Sequence, residues 1–197
     1  MRITSGLLRG RTLKSPPGDT RPTQDKVRQA IFSALGDFTD GARVLDLFAG
    51  SGALGLEAWS RGAAAVVWVE EDRRALTVLK ENLCQLCPGA GAKTRCIGTD
   101  VFKFLEAWPK HEPAVVFDLV LADPPYDRFG EYRRLEKTLP ALEAGPILRP
   151  GGFLVFEFGA REEPVVRAGW TLIWDRTYGG TRVVMYRRDD GHEEKTK

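Results

Sequence analysis

The stretch RVLDLFAGSGALGLEA, residues 43–58, decides the fold. A short apolar run leads into a glycine-rich turn, in which Gly50, Gly52 and Gly55 have the spacing G-x-G-x-x-G. Glycines at this spacing let the chain turn tightly from a strand into a helix and let its backbone approach a ligand closely. The stretch therefore predicts a loop that binds a nucleoside cofactor, without deciding which cofactor.

Strand-like and helix-like segments alternate after this loop. Helix-like segments lie near residues 53–61, 72–86, 100–107 and 130–144, between the apolar runs RVLDLF, AAVVWVE, KTRCIGTD, FDLVLAD and GGFLVFEF. Runs of this kind fit parallel strands that are buried on both faces. The alternation predicts an α/β fold with a Rossmann-like, mostly parallel, doubly wound sheet. Two further runs, WTLIWDRTY and TRVVMYRR, flank a Gly-Gly pair and predict a C-terminal antiparallel hairpin.

The N-terminal part of the chain differs from the rest in its charge. Residues 1–14 are predicted to form two short strands, residues 15–23 a loop, and residues 24–35 an amphipathic helix capped by Thr23. Residues 1–30 carry seven Lys/Arg against two Asp, a charge of +5, whereas the whole chain carries +2. Such asymmetry is expected of a nucleic-acid contact or of a solvated basic surface without a partner. We therefore divide the chain into a basic N-terminal hairpin and loop (1–23), a main domain (24–188) and a disordered tail (189–197).

The composition excludes several classes of protein. A hydrophobic content of 43% and a charged content of 28% are typical of a soluble globular protein. No apolar run approaches the roughly 20 residues that span a membrane, and the N-terminus lacks the apolar core of a signal peptide, so we expect a cytoplasmic protein. Three cysteines in 197 residues argue against a disulfide framework. The CQLC segment (84–87) has no second ligand pair, so we expect no metal site.

Acidic side chains follow four of the predicted strands: Asp46, Glu70, Asp100 and Asp123. The carboxyl ends of parallel strands meet at one edge of the sheet, where ligands of doubly wound folds bind, and an acid after the second strand suits a ribose diol. Asp46 beside the glycine loop would oppose a pyrophosphate but suits the amino group and sulfonium of S-adenosylmethionine. Asp100 suits an adenine amino group. Structural roles remain open: neighbouring backbone could satisfy Asp46, and Asp100 could cap a helix.

Asp123 opens the sequence Asp-Pro-Pro-Tyr. Proline fixes its own φ and holds the preceding residue extended, so the Asp123 carboxylate and the Pro124 carbonyl are predicted to point into the crevice as two acceptors. Such a pair suits the exocyclic amine of a planar base, because it orients the amine for in-line attack on a methyl donor. Tyr126 would stack on an unpaired or flipped base. A general-base role for Asp123 stays open as an alternative.

These motifs resemble those of the bacterial 16S ribosomal RNA guanine-N2 methyltransferases (the RsmD family), which are class I methyltransferases of the D-P-P-Y type. The resemblance covers about residues 2–188 and includes RITSGLLRGRTLKSP, TRPTQDKVRQAIFSAL, VLDLFAGSGALGLEAWSRGA, VVWVEEDRRAL, FDLVLADPPYD and LRPGGFLVFE. The glycine loop and DPPY are common to many methyltransferases, whereas the N-terminal segments are specific. Leu8 departs from the pattern, because an aromatic residue is expected there in many relatives.

The resemblance implies a monomeric enzyme that transfers a methyl group from S-adenosylmethionine to the N2 amine of a guanine in 16S rRNA, within the small ribosomal subunit or its assembly intermediate. The catalytic residues that it implies are Asp123, Pro124, Pro125 and Tyr126. The cofactor-binding residues are Asp46, Phe48, Gly50, Ser51, Gly52, Glu70, Glu71, Asp100 and Val101. The RNA-binding residues are Arg2, Arg9, Arg11, Arg21, Thr23 and Arg28, although for Arg2, Arg9, Arg11 and the loop 21–23 the resemblance equally allows a role in closing over the cofactor.

Three alternatives to this function remain at the level of sequence. One is methylation of another nucleic acid, such as DNA adenine, although 197 residues leave little room for a DNA target-recognition domain. A nicotinamide-dependent reductase is a second alternative, against which Asp46 and the DPPY motif argue. The third is an RNA-binding protein without catalytic activity.

Overall fold

The computed structural model describes residues 1–15, 23–112, 115–125 and 133–190, and only the backbone of residues 23 and 24. Most of the predicted loop at 15–23, with Arg21, and also Tyr126 and the end of the predicted tail (191–197) lie outside the described residues. The strands are β1 (Arg43–Leu47), β2 (Ala65–Glu70), β3 (Thr94–Gly98), β4 (Phe117–Ala122), β5 (Leu148–Gly159), β6 (Trp170–Tyr178) and β7 (Thr181–Arg188). The helices are α1 (Thr23–Leu35), α2 (Ala53–Ser60), α3 (Arg73–Leu86), α4 (Val101–His111) and α5 (Arg134–Glu143), and single 3₁₀ turns cover Gly36–Thr39 and Gly91–Lys93.

The strands form one sheet in the order β3-β2-β1-β4-β5-β7-β6. The first five strands of this order are parallel, and β7 pairs antiparallel with both β5 and β6. The chain runs outward from β1 to β3 and then returns to place β4 on the other side of β1, which creates a topological switch point between β1 and β4. The predicted doubly wound sheet and the predicted C-terminal hairpin are both confirmed.

Two hydrophobic layers cover the two faces of the sheet. The first layer joins α1, α2 and α3 to side chains such as Val44, Leu121 and Val155. The second layer joins α4 and α5 to the alternate residues, such as Leu45, Val120 and Phe156. Successive strand residues point to opposite faces, so a strand covered on both sides must be apolar throughout. This accounts for the mostly apolar composition of β1, β2 and β4, which Asp46 interrupts within β1 and Asp118 within β4. Each fully buried apolar side chain contributes about 1.5–3 kcal/mol.

Two predicted boundaries were wrong. Strand β5 begins at Leu148, before the predicted GGFLVFEF run, because Leu148 is fully buried and pairs with Phe117. The pairing register then shifts between Phe117 and Leu119, so the intervening Arg-Pro-Gly-Gly segment forms an irregularity inside the strand. Helix α4 continues to His111 instead of ending at residue 107 and includes Pro109 in its last turn.

Residues 1–15, which we call the N-terminal arm, fold back on themselves. Arg2 and Thr12 form an antiparallel bridge, and the amide of Ile3 donates to the carbonyl of Arg11 at 3.0 Å. Ile3 and Leu13 are almost completely buried in the first layer. The arm is therefore packed against the body of the protein.

A buried carboxylate fastens the arm to α2. Glu57 is completely buried and accepts hydrogen bonds from the Thr4 amide (2.9 Å), the Thr4 hydroxyl (2.6 Å) and the Ser5 amide (3.1 Å). The same carboxylate pairs with Arg28 of α1 at 3.2 Å and with Arg61 at 2.9 Å. Because a buried charge requires partners of this kind, the arm, α1 and α2 form one connected polar cluster.

Two further side chains of the body hold the arm. The Ser60 hydroxyl accepts from the Leu8 amide at 2.8 Å and donates to the Ser5 carbonyl at 2.6 Å. Asn82 of α3 accepts from the Lys14 amide at 2.9 Å and donates to the Lys14 carbonyl at 3.0 Å. The Asn82 amide also donates to the carbonyl of Ser51 in the glycine loop at 2.9 Å. One buried side chain thus contacts both the arm and the glycine loop.

Within the part of the chain that the structure describes, no helix is long and apolar enough to cross a membrane.

Candidate active site

A cavity of about 380 Å³ opens at the carboxyl ends of the parallel strands. This is the edge at which doubly wound folds bind ligands, and the volume is within the range for small-molecule sites. Its walls come from the glycine loop, the end of β2, the Asp-Pro-Pro segment after β4, and α1. The lining residues are Met1, Arg28, Ile31, Phe48, Ala49, Gly50, Ser51, Ala53, Leu54, Glu70, Glu71, Asp72, Ala75, Val101, Asp123, Pro124, Pro125, Arg134 and Glu157.

The glycine loop connects β1 to α2 in a conformation that requires glycine. Gly52 has φ +83° and precedes the first residue of α2. A Cβ atom at Gly52 would lie 2.3 Å from Leu79, and one at Gly55 would lie 2.3 Å from the indole nitrogen of Trp68. Real Cβ atoms do not approach other atoms so closely. The motif therefore lets the loop turn and lets α2 pack tightly on β2, as the spacing predicted.

Asp46 lies under this loop. Its side chain is buried and accepts a hydrogen bond from the Gly55 amide at 2.8 Å. Burial raises the pKa of Asp46 well above its ordinary value, the Gly55 hydrogen bond opposes this, and the nearby Glu70 charge adds to the rise. Asp46 is not among the residues that line the cavity. Its contact in the structure is thus with backbone, the structural alternative that the sequence left open.

Glu70 ends β2 and faces the glycine loop. Its two carboxylate oxygens accept hydrogen bonds from the Gly50 amide at 2.7 Å and from the Asp72 amide at 2.7 Å. Asp72 in turn caps α3 by accepting from the amides of Arg74 and Ala75. Glu70 therefore links the loop to the start of α3 while it lines the cavity.

The end of β3 contributes less to the cavity than the sequence predicted. Asp100 is the N-cap of α4 and accepts from the Lys103 amide at 2.9 Å, which is the capping role that the sequence left open. Val101 lines the cavity, whereas Asp100 and Gly52 do not. Phe48, Gly50, Ser51, Glu70 and Glu71, in contrast, all line the cavity.

The segment after β4 brings Asp123, Pro124 and Pro125 to the same cavity. The guanidinium of Arg134, at the start of α5, donates to the Pro125 carbonyl and lies 5.9 Å from the centroid of the Phe48 ring. Arg134 thereby connects the Asp-Pro-Pro segment to the glycine loop. The described residues contain no cis peptide bond, so both prolines extend the chain from β4 with trans peptide bonds.

Negative charge dominates the cavity wall. Among the lining residues, five are acidic (Glu70, Glu71, Asp72, Asp123 and Glu157) and two are arginines (Arg28 and Arg134). A low-dielectric cleft whose lining carries charges of one sign favours ligands of the opposite charge. The described lining thus favours a cationic group over a pyrophosphate.

The arginines that the sequence grouped as RNA-binding lie in two kinds of environment. Arg2, Arg9 and Arg11 are exposed. Arg28 of α1 is only 3% exposed, because it donates to the Arg2 carbonyl and pairs with Asp25 and Glu57. The structure therefore separates Arg28 from the exposed arginines with which the sequence had grouped it.

Leu8 packs against the first hydrophobic layer, whereas its neighbour Leu7 is 89% exposed at the turn of the arm. The apolar residue that the turn presents to solvent is thus at position 7. Leu8, which replaces the aromatic residue expected in many relatives, is therefore on the side of the arm that faces the body.

The sequence predicted no metal site, because the CQLC segment has no second pair of ligands. Among residues whose side chains the structure describes, no three His, Cys, Asp or Glu side chains cluster as metal ligands would. Cys84 is exposed near the end of α3, and Cys87 is buried just after it. Burial raises the pKa of the Cys87 thiol to about 11, which makes this thiol unreactive near neutral pH.

Comparison with known proteins identifies the family. The family model described as "Conserved hypothetical protein 95" matches residues 1–187. The chain belongs to this family. Ribosomal RNA small subunit methyltransferase D of Escherichia coli K12 is 35% identical over 192 residues, which cover 96% of this chain and 90% of the relative. A Bacillus subtilis protein provisionally named rRNA methyltransferase YlbH is 37% identical over 190 residues, which cover 95% of this chain and 99% of the relative.

Solved structures of similar proteins share the fold over nearly the whole length of this family member. An Escherichia coli protein provisionally named methyltransferase yhhF superposes with a TM-score of 0.82 at 34% identity, covering 96% of this chain and 98% of that chain. A hypothetical protein of Thermus thermophilus superposes with a TM-score of 0.74 at 31% identity, covering 94% and 98%. The resemblance inferred from the sequence and the Rossmann-like methyltransferase fold are confirmed.

In this family member, sequence reasoning missed three charged residues of the cavity, Asp72, Arg134 and Glu157. Glu157 is the second-last residue of the run GGFLVFEF, and Asp46 is likewise the second-last residue of β1, so the signal that identified Asp46 was also present at this strand. Arg134 had no such signal, because it begins a helix within the charged segment EYRRLEK. Its contact with Pro125 depends on the packing of α5 beside β4.

Proposed function

We propose that this protein is an S-adenosylmethionine-dependent methyltransferase that methylates the exocyclic N2 amine of a guanine in small-subunit ribosomal RNA. The observation that carries the proposal is the acidic cavity that the glycine loop and the Asp123-Pro124-Pro125 segment share. The names of the relatives, ribosomal RNA small subunit methyltransferase D among them, support ribosomal RNA as the acceptor.

The charges of the cavity fit the methyl donor. S-adenosylmethionine, when bound, supplies an electrophilic methyl group on a sulfonium. Glu70, Glu71 and Asp72 form an acidic group at the end of β2, beside the loop amides. Carboxylates at this position suit a ribose diol and a cationic donor, whereas they would oppose the pyrophosphate of a nicotinamide dinucleotide.

The Asp-Pro-Pro segment fits the methyl acceptor. The lone pair of an exocyclic amine is delocalised into its ring, so the amine is a poor nucleophile until it is oriented. The Asp123 carboxylate and the Pro124 carbonyl accept the two amine hydrogens and direct the lone pair at the methyl carbon, which is catalysis by positioning and preorganised electrostatics. The amine nitrogen forms the new N–C bond as the S–C bond breaks, and the methylated amine then loses one proton.

The arm fits the RNA. Arg2, Arg9 and Arg11 are exposed and belong to a segment that Glu57, Ser60 and Asn82 hold against the body. Arginines on a fixed support contact phosphates without a large entropic cost of ordering the arm. We include residues 1–23 in the proposal as the RNA-contacting region and residues 24–188 as the catalytic domain.

The first experiment identifies the product. Radiolabelled S-adenosylmethionine is incubated with the protein and, in separate reactions, with naked small-subunit RNA, assembled small subunits that lack the modification, and duplex DNA. The labelled nucleoside is then separated by chromatography. N2-methylguanosine from either RNA acceptor supports the proposal, and the labelled nucleotide is mapped. Methyladenine from DNA, or no label on any acceptor, contradicts it.

The second experiment tests the donor site. Glu70→Gln should weaken S-adenosylmethionine binding measured by calorimetry about 10-fold or more, because a charged hydrogen bond contributes roughly 1.5–3 kcal/mol. Glu81→Gln is the matched control, since Glu81 is half exposed on α3 and pairs with Lys14 of the arm. Equal affinities for the two variants would remove Glu70 from the donor site.

A further inference from the structure

We infer that Glu157 selects guanine as the methyl acceptor by accepting a hydrogen bond from the N1–H of the base, beside the N2 amine that Asp123 holds. The inference rests on the proposed function and adds to it the residue that determines which base is accepted. Glu157 belongs to β5, lines the cavity and is 8% exposed.

The strand register places Glu157 next to Asp123. The last residue of β4, Ala122, pairs with Phe156 of β5, so the next residues along these two parallel strands are Asp123 and Glu157. Neighbouring strands lie about 4.8 Å apart. Side chains on backbones this close together can converge on neighbouring groups at the edge of one base.

Both side chains belong to the same face of the sheet. Leu121 and Val155 are in the first hydrophobic layer, whereas Ala122 and Phe156 are in the second. Because direction alternates along a strand, Glu157, between Phe156 and Phe158 of the second layer, points to the side of the first layer. Asp123 is the first residue after β4, and the proline that follows favours an extended backbone there, which continues the alternation. The wall of the cavity on this side is Arg28 and Ile31 of α1.

The acids of the cavity thus form two separate groups. Glu70, Glu71 and Asp72 lie at the end of β2, on one side of the glycine loop that follows β1. Asp123, just after β4, and Glu157, in β5, lie on the other side. The β2 group accounts for the methyl donor. The acceptor amine requires Asp123, which leaves Glu157 as a second carboxylate on the acceptor side.

Hydrogen-bonding chemistry identifies the base that suits two adjacent acceptors. In guanine the N2 amine is next to N1–H, so two donors are side by side. In adenine the N6 amine is next to N1, and in cytosine the N4 amine is next to N3, and both of these ring nitrogens are acceptors. A buried carboxylate next to such a nitrogen is repelled by its lone pair, and this repulsion costs several kcal/mol of binding free energy. Asp123 alone suits any of the three amines, whereas Asp123 with Glu157 suits guanine.

A base analogue separates recognition of N1–H from every other role of Glu157. 2-Aminopurine keeps the amine at C2 but has an acceptor at N1 and no carbonyl at C6, so it is the change in preference caused by a Glu157 substitution that reports on N1. Small subunits are assembled with guanine or with 2-aminopurine at the position mapped in the first experiment, and kcat/KM for methyl transfer is measured with each. The wild-type protein should prefer guanine by at least about 100-fold.

Glu157→Gln should reduce the guanine preference by at least about 10-fold, because the glutamine amide can donate a hydrogen bond to N1 of 2-aminopurine. The preference is a ratio measured on one enzyme preparation, so partial unfolding of the variant does not change it. Calorimetry should give an unchanged affinity for S-adenosylmethionine. Glu106→Gln is the control and keeps the wild-type ratio, since Glu106 is exposed on α4 and pairs only with Lys110 among the described ion pairs.

Two results would overturn the inference while the proposed function stands. One is wild-type protein that forms N2-methylguanosine but accepts 2-aminopurine equally well. The other is a Glu157→Gln variant with the wild-type preference. If the wild-type protein forms no N2-methylguanosine on any RNA, the proposed function fails and the inference fails with it.

Discussion

Replacing Glu57 with glutamine should destabilise the whole protein, although the substitution changes only one atom and one charge. Glu57 is fully buried, and its two oxygens accept five hydrogen bonds, from the Thr4 amide and hydroxyl, the Ser5 amide, Arg28 and Arg61. A glutamine retains one acceptor oxygen and puts an N–H₂ group where the other stood. That group faces donors and can accept from none of them.

The magnitude follows from the donors that lose their partner. If the amide nitrogen takes the position of Oε2, the Thr4 amide and the Arg28 guanidinium both lose an acceptor. A buried unsatisfied donor costs about 1–3 kcal/mol, and more when it is charged, and a broken buried ion pair costs about 3–5 kcal/mol. We expect a loss of about 3–5 kcal/mol, a large part of the roughly 5–15 kcal/mol that is typical of a domain.

The assay is urea unfolding followed by circular dichroism, with Glu81→Gln as the matched control. Glu81 also pairs with the arm, through Lys14 at 2.8 Å, but both side chains are about half exposed. A surface pair of this kind contributes about 0–1 kcal/mol. If Glu57→Gln loses no more stability than Glu81→Gln, the view of Glu57 as the buried anchor of the arm is wrong.

Three further predictions concern catalysis, RNA binding and pH. Asp123→Ala should lower kcat about 10²–10³-fold and retain the affinity for S-adenosylmethionine. Asp123→Asn keeps an acceptor oxygen, so its kcat should fall much less. An equal fall in kcat for the two variants would instead identify Asp123 as a general base. Replacing both Arg9 and Arg11 with Ala should reduce the slope of log Kd for the RNA against log salt concentration by about 1.4, roughly 0.7 for each lost phosphate contact. Arg176→Ala, at an exposed position of β6, is the control and should leave the slope unchanged. An unaltered slope in the double variant would exclude the arm from the interface. Because burial raises the pKa of Asp46 in the folded protein, its stabilising contribution is complete below the unfolded pKa near 3.8 and is lost as the pH rises towards the folded value. Asp46→Asn should therefore gain stability relative to wild type as the pH rises above about 3.8 in urea unfolding, and a difference that does not vary with pH would refute this.

The architecture could be predicted because local signals and tertiary packing agree. Strands such as RVLDL and FDLVLA are apolar on both faces, and the structure buries both faces. The hairpin strands end at the Gly-Gly turn, as expected. At Leu148 the signals conflicted, because the adjacent Pro-Gly segment indicates a turn while the side chain pairs with Phe117 and is buried. Pairing with β4 determines where β5 begins, and the local sequence pattern carries no information about that pairing.

The candidate site was predicted less completely, because charge alone does not specify a partner. Arg28 was grouped with the other basic residues of the N-terminus, yet it lies four residues before Phe32 in the buried stripe of α1 and pairs with Glu57, 29 positions away. Asp46 was expected near a ligand, and its oxygen accepts from Gly55 across the loop. In both cases the sequence contained the residue but not the long-range contact that satisfies it.

The attachment of the arm has a consequence for the order in which the protein folds. The partners of Thr4, Leu8 and Lys14 are 52 to 68 positions further along the chain. During synthesis the arm is made before α2 and α3, and it has no surface to dock on until residue 82 has been added and these helices have packed on their strands. Closing loops of this length is slow compared with forming helices. The arm is therefore placed after the central strands, and until then its charged side chains have no docking surface.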